Sequence, residues 1–369
     1  MKAAAVYPGK RTIGLADVDE PKLVSASDVK IRILRVGVCG TDREICSFEY
    51  GTPPDGSEFL VLGHESLGEV VEVGPDVSDL KPGDLVVPMV RRPCAHPECL
   101  ACRSGRQDFC YTGDFTERGI KQRHGFMTEL VVDERQYMNH VPSELRDIAI
   151  LTEPLTIAEK ALIEVLQIQQ RLPWGCPIPG QSTQYCHKAV VLGAGPVGLL
   201  GAMTLVNAGF QTWVYSRDRE PSAGASVVTN IGAKYISSQD KSVDQLAAEV
   251  GNIDLVYEAV GASQFAFDVL RGLGVNGLFV FTGVPGHNAP VSIDTSLIMR
   301  NMVLKNQGLL GSVNAGRDAF EAAIRDLASF NRKWPDAVRS LITGHFPLDQ
   351  FETPIASHDG IKNVIEIAA

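Results

Sequence analysis

The chain is short of basic charge. Its 34 lysines and arginines face 44 aspartates and glutamates, which gives a formal net charge of −10 at pH 7 and a pI near 5.3. Such a balance builds no basic field for nucleic acid, and the mild acid surplus suits a soluble surface. The N-terminal stretch MKAAAVYPGKRTIG lacks the apolar core of a secretory leader. A reducing, cytoplasmic setting is therefore expected, where clustered cysteines bind metal more often than they bridge. Internal repeats and low-complexity tracts are absent. One uncharged run, Ala189 to Val206, approaches the length of a membrane span. Three glycines and a proline interrupt it, so a buried strand, a tight turn and a buried helix are the better reading, and no membrane partner is expected.

What is present is a chain of 369 residues with 44% hydrophobic content, long for one core and natural for two domains. Residues 1–155 carry few long amphipathic helices. Strand-like runs such as DVKIRILRVGVCG and SLGEVVEVG, and the turn in DLKPGDLVVP, make this half largely β. The character changes after Glu153-Pro154. IAEKALIEVLQIQQRL has helical spacing, and PWGCPIPGQSTQYCH reads as a linking loop. KAVVLGAG, TWVYS, IDLVYEAVG and GLFVFTGVP are then short apolar runs separated by helix-like segments, which implies an α/β parallel sheet covered by helices. GRDAFEAAIRDLASF is expected to be helical.

VVLGAGPVG places Gly193-x-Gly195-x-x-Gly198 directly after an apolar strand. Gly193 permits the tight turn, Gly195 lets backbone approach a pyrophosphate, and Gly198 lets the helix pack close to the strand. Pro196 suits the first helical turn, and with Val197 completes the candidate phosphate loop. The next strand ends in Ser216, Arg217, Asp218 and Arg219. An arginine pairs bidentately with a 2′-phosphate, so Ser216, Arg217 and Arg219 favour NADP, while Asp218 leaves NAD open.

Two groups of residues suit metals. Cys39, His64 and Glu65, in GVCGTD and GHESLGEVVEVG, offer a thiolate, an imidazole and a carboxylate. This mixed set fits a catalytic zinc that keeps a position open for substrate. Alone, Cys39 reads as a buried thiol and Glu65 as a surface charge. Asp42 could orient His64 or merely cap a helix. Cys94, Cys99, Cys102 and Cys110 follow with intervening gaps of four, two and seven residues. Four thiolates can close a structural zinc site around a loop with no core of its own; a disulfide or a metal-free loop is the alternative. His96 lies inside the first gap and is read as solvent-facing. Cys46, Cys176 and Cys186 are read as ordinary thiols.

Together, GHESLGEVVEVG, KPGDLVV, the cysteine cluster and the glycine motif make the chain resemble the zinc-dependent medium-chain dehydrogenase/reductases over nearly its whole length. CGTDREI, RRPC, CRSGRQDFC, GFMTEL and LTEPLTIAEKA resemble more specifically the glucose (aldose) dehydrogenases typical of archaea. The resemblance implies a GroES-like catalytic domain at 1–155 with a structural zinc lobe at 94–110. It implies a Rossmann domain at 156–310 and a segment, 311–369, returning to the first domain. It matches Cys39, His64 and Glu65 to zinc-associated residues, adds Glu153 as a further zinc position, and matches Thr41 to a proton relay. Glu117 and Asn314 match sugar contacts. Phe281, Thr282 and Gly283, with Ser312, Val313 and Asn314, match the stretches flanking the nicotinamide. Two departures stand out: the first cysteine interval is two residues longer than the usual pattern, and Val90 replaces an asparagine that holds sugar in some members.

The activity so implied is oxidation of an aldose, D-glucose with D-galactose as a further candidate, at C1 to the aldonolactone, with hydride transfer to NADP or NAD. One catalytic and one structural zinc are expected per subunit, in a homodimer or homotetramer. A zinc polyol or secondary-alcohol dehydrogenase, a zinc-free reductase and a non-catalytic dinucleotide-binding protein are the alternatives.

Overall fold

The computed structural model describes residues 1–174, 186–286 and 290–368. The chain divides into two compact units. The first comprises Met1–Thr156, Asn314–Ala328 and Ile342–Ala369, and the second Ile157–Val313 and Ser329–Leu341. The C-terminal segment expected to return whole to the first domain is thus shared, because Ser329–Leu341 packs with the second unit.

In the first unit the strand Asp28–Gly37 is the organiser. It pairs antiparallel with Glu65–Val73, Leu130–Glu134 and Lys362–Glu366 in a seven-stranded sheet. Ile31, Ile33 and Val36 are fully buried in its core, with Phe126 and Met127 packed among them. The register sets Gly37 opposite Glu65 on one side and Val364 on the other. A Cβ at Gly37 would lie 2.1 Å from Glu65 Oε2, so only glycine leaves room for that carboxylate. A small sheet of Arg91–Arg92, Thr116–Arg118 and Gln122–Arg123 lies beside the cysteine loop in sequence.

The second unit is a six-stranded sheet, parallel throughout. Its spatial order is Lys234–Ser237, Gln211–Ser216, Lys188–Leu192, Leu255–Glu258, Leu278–Phe281, Gly308–Gly311. Counted in chain order this is 3-2-1-4-5-6, the doubly wound order of dinucleotide-binding folds. Ala189 to Leu192 are wholly buried, as a strand covered on both faces requires. The uncharged run at Ala189–Val206 resolves into that strand, a glycine turn and the helix Pro196–Asn207. No helix among the described residues is long and apolar enough to cross a membrane. Cys186 corrects the sequence reading: it is disulfide-bonded, not an ordinary thiol. Cys46 is free. Cys176 and most of the proposed linking loop lie outside the described residues.

Candidate active site

Cys39 ends the run from the organising strand and stands at the start of the helix Gly40–Cys46. Its backbone N–H donates to Asp42 Oδ2 at 2.8 Å, which fixes the first helical turn. Glu65 opens the neighbouring strand and His64 immediately precedes it. One ligand atom each from Cys39, His64 and Glu65 lies within 4.8 Å of the others. Asp42 Oδ1 is 3.6 Å from His64 Nδ1; both atoms are buried and neither has a hydrogen-bond partner. At that distance the contact is electrostatic. Burial alone would lower the His64 pKa, but the Asp42 carboxylate and the Cys39 sulfur hold it well above its ordinary value. The pocket thus attracts positive charge. With a soft thiolate, an imidazole and a carboxylate converging, these residues fit a zinc ion, and Asp42 stands where it can orient the histidine.

Glu153, at the start of the helix Thr152–Gln169, is not in the three-atom group. It is nonetheless within electrostatic reach. Burial pushes its pKa up to about 7, Glu65 and Asp42 add to the shift, and His64 and Lys362 oppose it. Thr41 Oγ1 is 3.9 Å from Cys39 Sγ. Lys362 escaped the sequence reading. Its ammonium donates to Glu65 Oε1 at 2.8 Å, Glu65 Oε2 at 2.6 Å and the Val38 carbonyl at 3.1 Å. The only signal was a lysine opening the short strand KNVIE.

Glu117 and Asn314, 197 residues apart, meet directly. Asn314 Nδ2 donates to Glu117 Oε1 at 3.0 Å, and Arg91 Nε donates to the same oxygen at 3.0 Å. Asn314 adopts φ +57°, a left-handed conformation that asparagine tolerates. Arg91 is buried and stacks 3.6 Å from the centre of the Phe115 ring; it too was missed from sequence. Tyr50, half exposed, feels the charges of both groups. Partial burial and the Glu117 charge raise its phenol pKa, and the His64 charge reaches it as well. Val90 is buried in the core of the unit.

The four loop cysteines Cys94, Cys99, Cys102 and Cys110 also bring one sulfur each within 4.8 Å of the rest. All are free, and Cys99 Sγ is 3.9 Å from Cys110 Sγ, far beyond a disulfide bond. Backbone N–H groups of Cys102 and Tyr111 lower the Cys99 pKa. Burial opposes the Cys110 thiolate, but bonds from Thr112 and Gly113 bring its pKa down to about 6. This set suits a tetrahedral zinc. His96 stays outside it, paired with Asp114 at 2.6 Å and Glu98 at 3.3 Å on an exposed loop.

In the second unit Gly193 has φ +99° and donates its N–H to the Tyr215 carbonyl at 3.0 Å. A Cβ at Gly198 would fall 2.2 Å from the Gly193 carbonyl oxygen, whereas Gly195 faces open space. That is the cradle a pyrophosphate needs, with Pro196 and Val197 opening the helix behind it. Ser216 ends the adjacent strand. Arg217 is largely exposed, 3.6 Å from Asp218, while Arg219 Nε is tied to Asp240 at 2.8 Å. Phe281 and Ser312 are linked by a backbone bond of 2.9 Å, and the Val313 carbonyl accepts from Lys160 Nζ at 3.0 Å. Thr282 Oγ1 donates to the Glu258 carbonyl at 2.7 Å. Glu258, unnoticed in the sequence, accepts N–H bonds from Val260, Gly261 and Gly283 through its buried carboxylate.

Comparison with known proteins bears on this arrangement. Residues 25–143 match the alcohol dehydrogenase GroES-like domain, and residues 146–367 match the glucose dehydrogenase C-terminus. The glucose 1-dehydrogenase of Methanocella arvoryzae is 35% identical over the full length of both chains. Glucose 1-dehydrogenase 1 of Caldivirga maquilingensis is 38% identical over 100% of this chain and 99% of that protein. A structure of Haloferax mediterranei glucose dehydrogenase in complex with NADP, Zn and gluconolactone has a TM-score of 0.88 at 32% identity, with full coverage of both chains.

Proposed function

Because the chain belongs to the glucose dehydrogenase family, we propose that it oxidises D-glucose at C1 to the aldonolactone, with zinc and NADP as its cofactors. The observation that carries this reading is the convergence of Cys39, His64 and Glu65 in a chain whose second unit holds a fitted glycine cradle. The Haloferax mediterranei complex, with the same three small molecules on a related chain, supports it.

Cys39, His64 and Glu65 would hold the catalytic zinc, and Glu153, electrostatically coupled to them, is the further zinc position of this reading. Cys94, Cys99, Cys102 and Cys110 hold a structural one. Gly193, Gly195 and Gly198 receive the pyrophosphate, and Ser216, Arg217 and Arg219 the 2′-phosphate. When bound, zinc polarises the anomeric hydroxyl and the nicotinamide ring accepts hydride from C1. Glu117 and Asn314 hold the sugar hydroxyls. Both of these side-chain bonds to Glu117 use Oε1. Thr41 takes the anomeric proton and passes it outward. The substrate thus loses one proton and one hydride, and water opens the lactone. Val90 removes one polar sugar contact and favours a second reading, a polyol or secondary-alcohol dehydrogenase.

Initial rates with glucose, galactose, xylose, sorbitol and simple alcohols, each with NADP and NAD, test these readings. Glucose with NADP fastest, and loss of activity on chelation, support the first. Sorbitol or a simple alcohol fastest supports the second. Activity that survives complete zinc removal contradicts both.

The assembly is a homodimer or homotetramer. Its contact surface includes the open sheet edge Gly308–Gly311 and the adjoining helix Thr295–Leu304, where Met299, Val303 and Leu304 are exposed.

A further inference from the structure

We propose that Lys362 competes with the metal for the Glu65 carboxylate, and so keeps the coordination shell at Cys39 and His64 open. The inference rests on the reading of Cys39, His64 and Glu65 as a metal centre.

Lys362 and Glu65 are 297 residues apart in sequence, and both side chains are only 2% exposed. The ammonium has three protons and three protein acceptors: both Glu65 oxygens and the Val38 carbonyl. Val38 immediately precedes Cys39, and Glu65 immediately follows His64. One cation therefore ties together the two chain segments that carry the strongest metal donors. Gly37 sets the position on the other side, because Glu65 Oε2 fills the space that a Cβ there would take.

A buried ion pair is an expensive feature, which makes a role for its charges worth seeking. Here the use follows from competition. A carboxylate whose two oxygens already face an ammonium is a weakened donor to a second cation. The thiolate and the imidazole then dominate the binding of the metal, and the place beside Glu65 stays available to a substrate oxygen. Remove the ammonium, and Glu65 is free to close on the metal as a full-strength ligand. The result should be zinc held more tightly and used less well. A lysine with a purely structural role would do the reverse, since loosening the donors would release zinc faster.

The test follows zinc release into excess chelator, together with kcat for glucose and NADP. It uses the intact zinc-loaded protein and its variants Lys362→Met, Lys362→Arg and Lys362→Met/Glu65→Gln. Cys39→Ser identifies which release phase belongs to this centre, separating it from the four-cysteine loop. Lys362→Met should slow that phase and lower kcat, each by about tenfold or more, the worth of one charge-assisted hydrogen bond. Lys362→Arg should stay near the parent, and the double variant should release zinc at least as fast as the parent. Lys362→Gln gives the same comparison if Lys362→Met is not obtained soluble. Release that is unchanged or faster in the uncharged single variant overturns the inference and leaves the metal centre standing. A parent protein with no phase that Cys39→Ser removes overturns the metal-centre reading itself.

Discussion

Glu117 Oε1 accepts hydrogen bonds from both Arg91 and Asn314. The arginine holds the carboxylate in place, and the amide completes a polar pair suited to sugar hydroxyls. Glu117→Gln should raise the KM for glucose by about 10- to 100-fold, as expected for losing a charged hydrogen bond. Zinc content and NADP binding should be unaltered; an unchanged KM would remove Glu117 from the sugar site. Arg217 is the freer of the two arginines proposed for the 2′-phosphate, since Arg219 is held by Asp240. Arg217→Ala should raise the KM for NADP about tenfold and leave that for NAD nearly unchanged. Equal losses with both cofactors would show that Arg217 does not read the 2′-phosphate. At this scale the sequence revealed the residues that sit in local patterns. Cys39 and His64 stand beside glycine-marked turns, and Gly193 to Gly198 form a strand-to-helix signature. Lys362, Arg91 and Glu258 were not visible, because a lone charged residue carries no local sign of a partner 297 or 26 positions away, or of the turn N–H groups it caps.

Among the elements, the clearest energetic feature is the buried cluster at Asp133. This residue, on the strand Leu130–Glu134, accepts from Arg92 and from Arg118, whose Nε is 2.9 Å away. It joins the small sheet carrying Glu117 to the main sheet carrying the metal residues. Burial would raise the Asp133 pKa, but Arg118 and Arg92 hold it far below the usual carboxylate range. The sign follows. A depressed folded pKa stabilises the protein at pH values above the unfolded value, about 3.9, and the gain is lost only as pH falls toward the folded value. Asp133→Asn should therefore cost about 3–5 kcal/mol at pH 7, because it leaves buried guanidinium groups unpaired. The gap between variant and parent in urea unfolding should narrow below pH 4; a gap that widens on acidification would contradict the assignment. The elements themselves were largely legible. Alternating apolar runs and helical segments announced the parallel sheet, and turn residues announced the β-rich half. The disulfide at Cys186 was not, because no spacing rule singled that cysteine out. Nor was the return of Ser329–Leu341 to the second unit, since its helical pattern does not say which sheet it covers.

The whole molecule joins a β-rich unit with two candidate metal groups to a doubly wound unit with a glycine cradle. The oligomer proposed above draws on the helix Thr295–Leu304, with Met299, Val303 and Leu304 exposed, and on the open sheet edge Gly308–Gly311. If that proposal holds, the parent is larger than one chain in light scattering and Val303→Asp with Leu304→Asp lowers its mass; a parent of monomer mass contradicts the proposed oligomer, and an unchanged larger mass places the interface elsewhere. The central claim is that oxidation depends on zinc held by Cys39, His64 and Glu65. It is tested most directly by measuring zinc content, NADP binding and glucose oxidation together in Cys39→Ser. The account predicts loss of one zinc per chain and of turnover, with NADP affinity retained. Normal zinc content and normal turnover in that variant would contradict it.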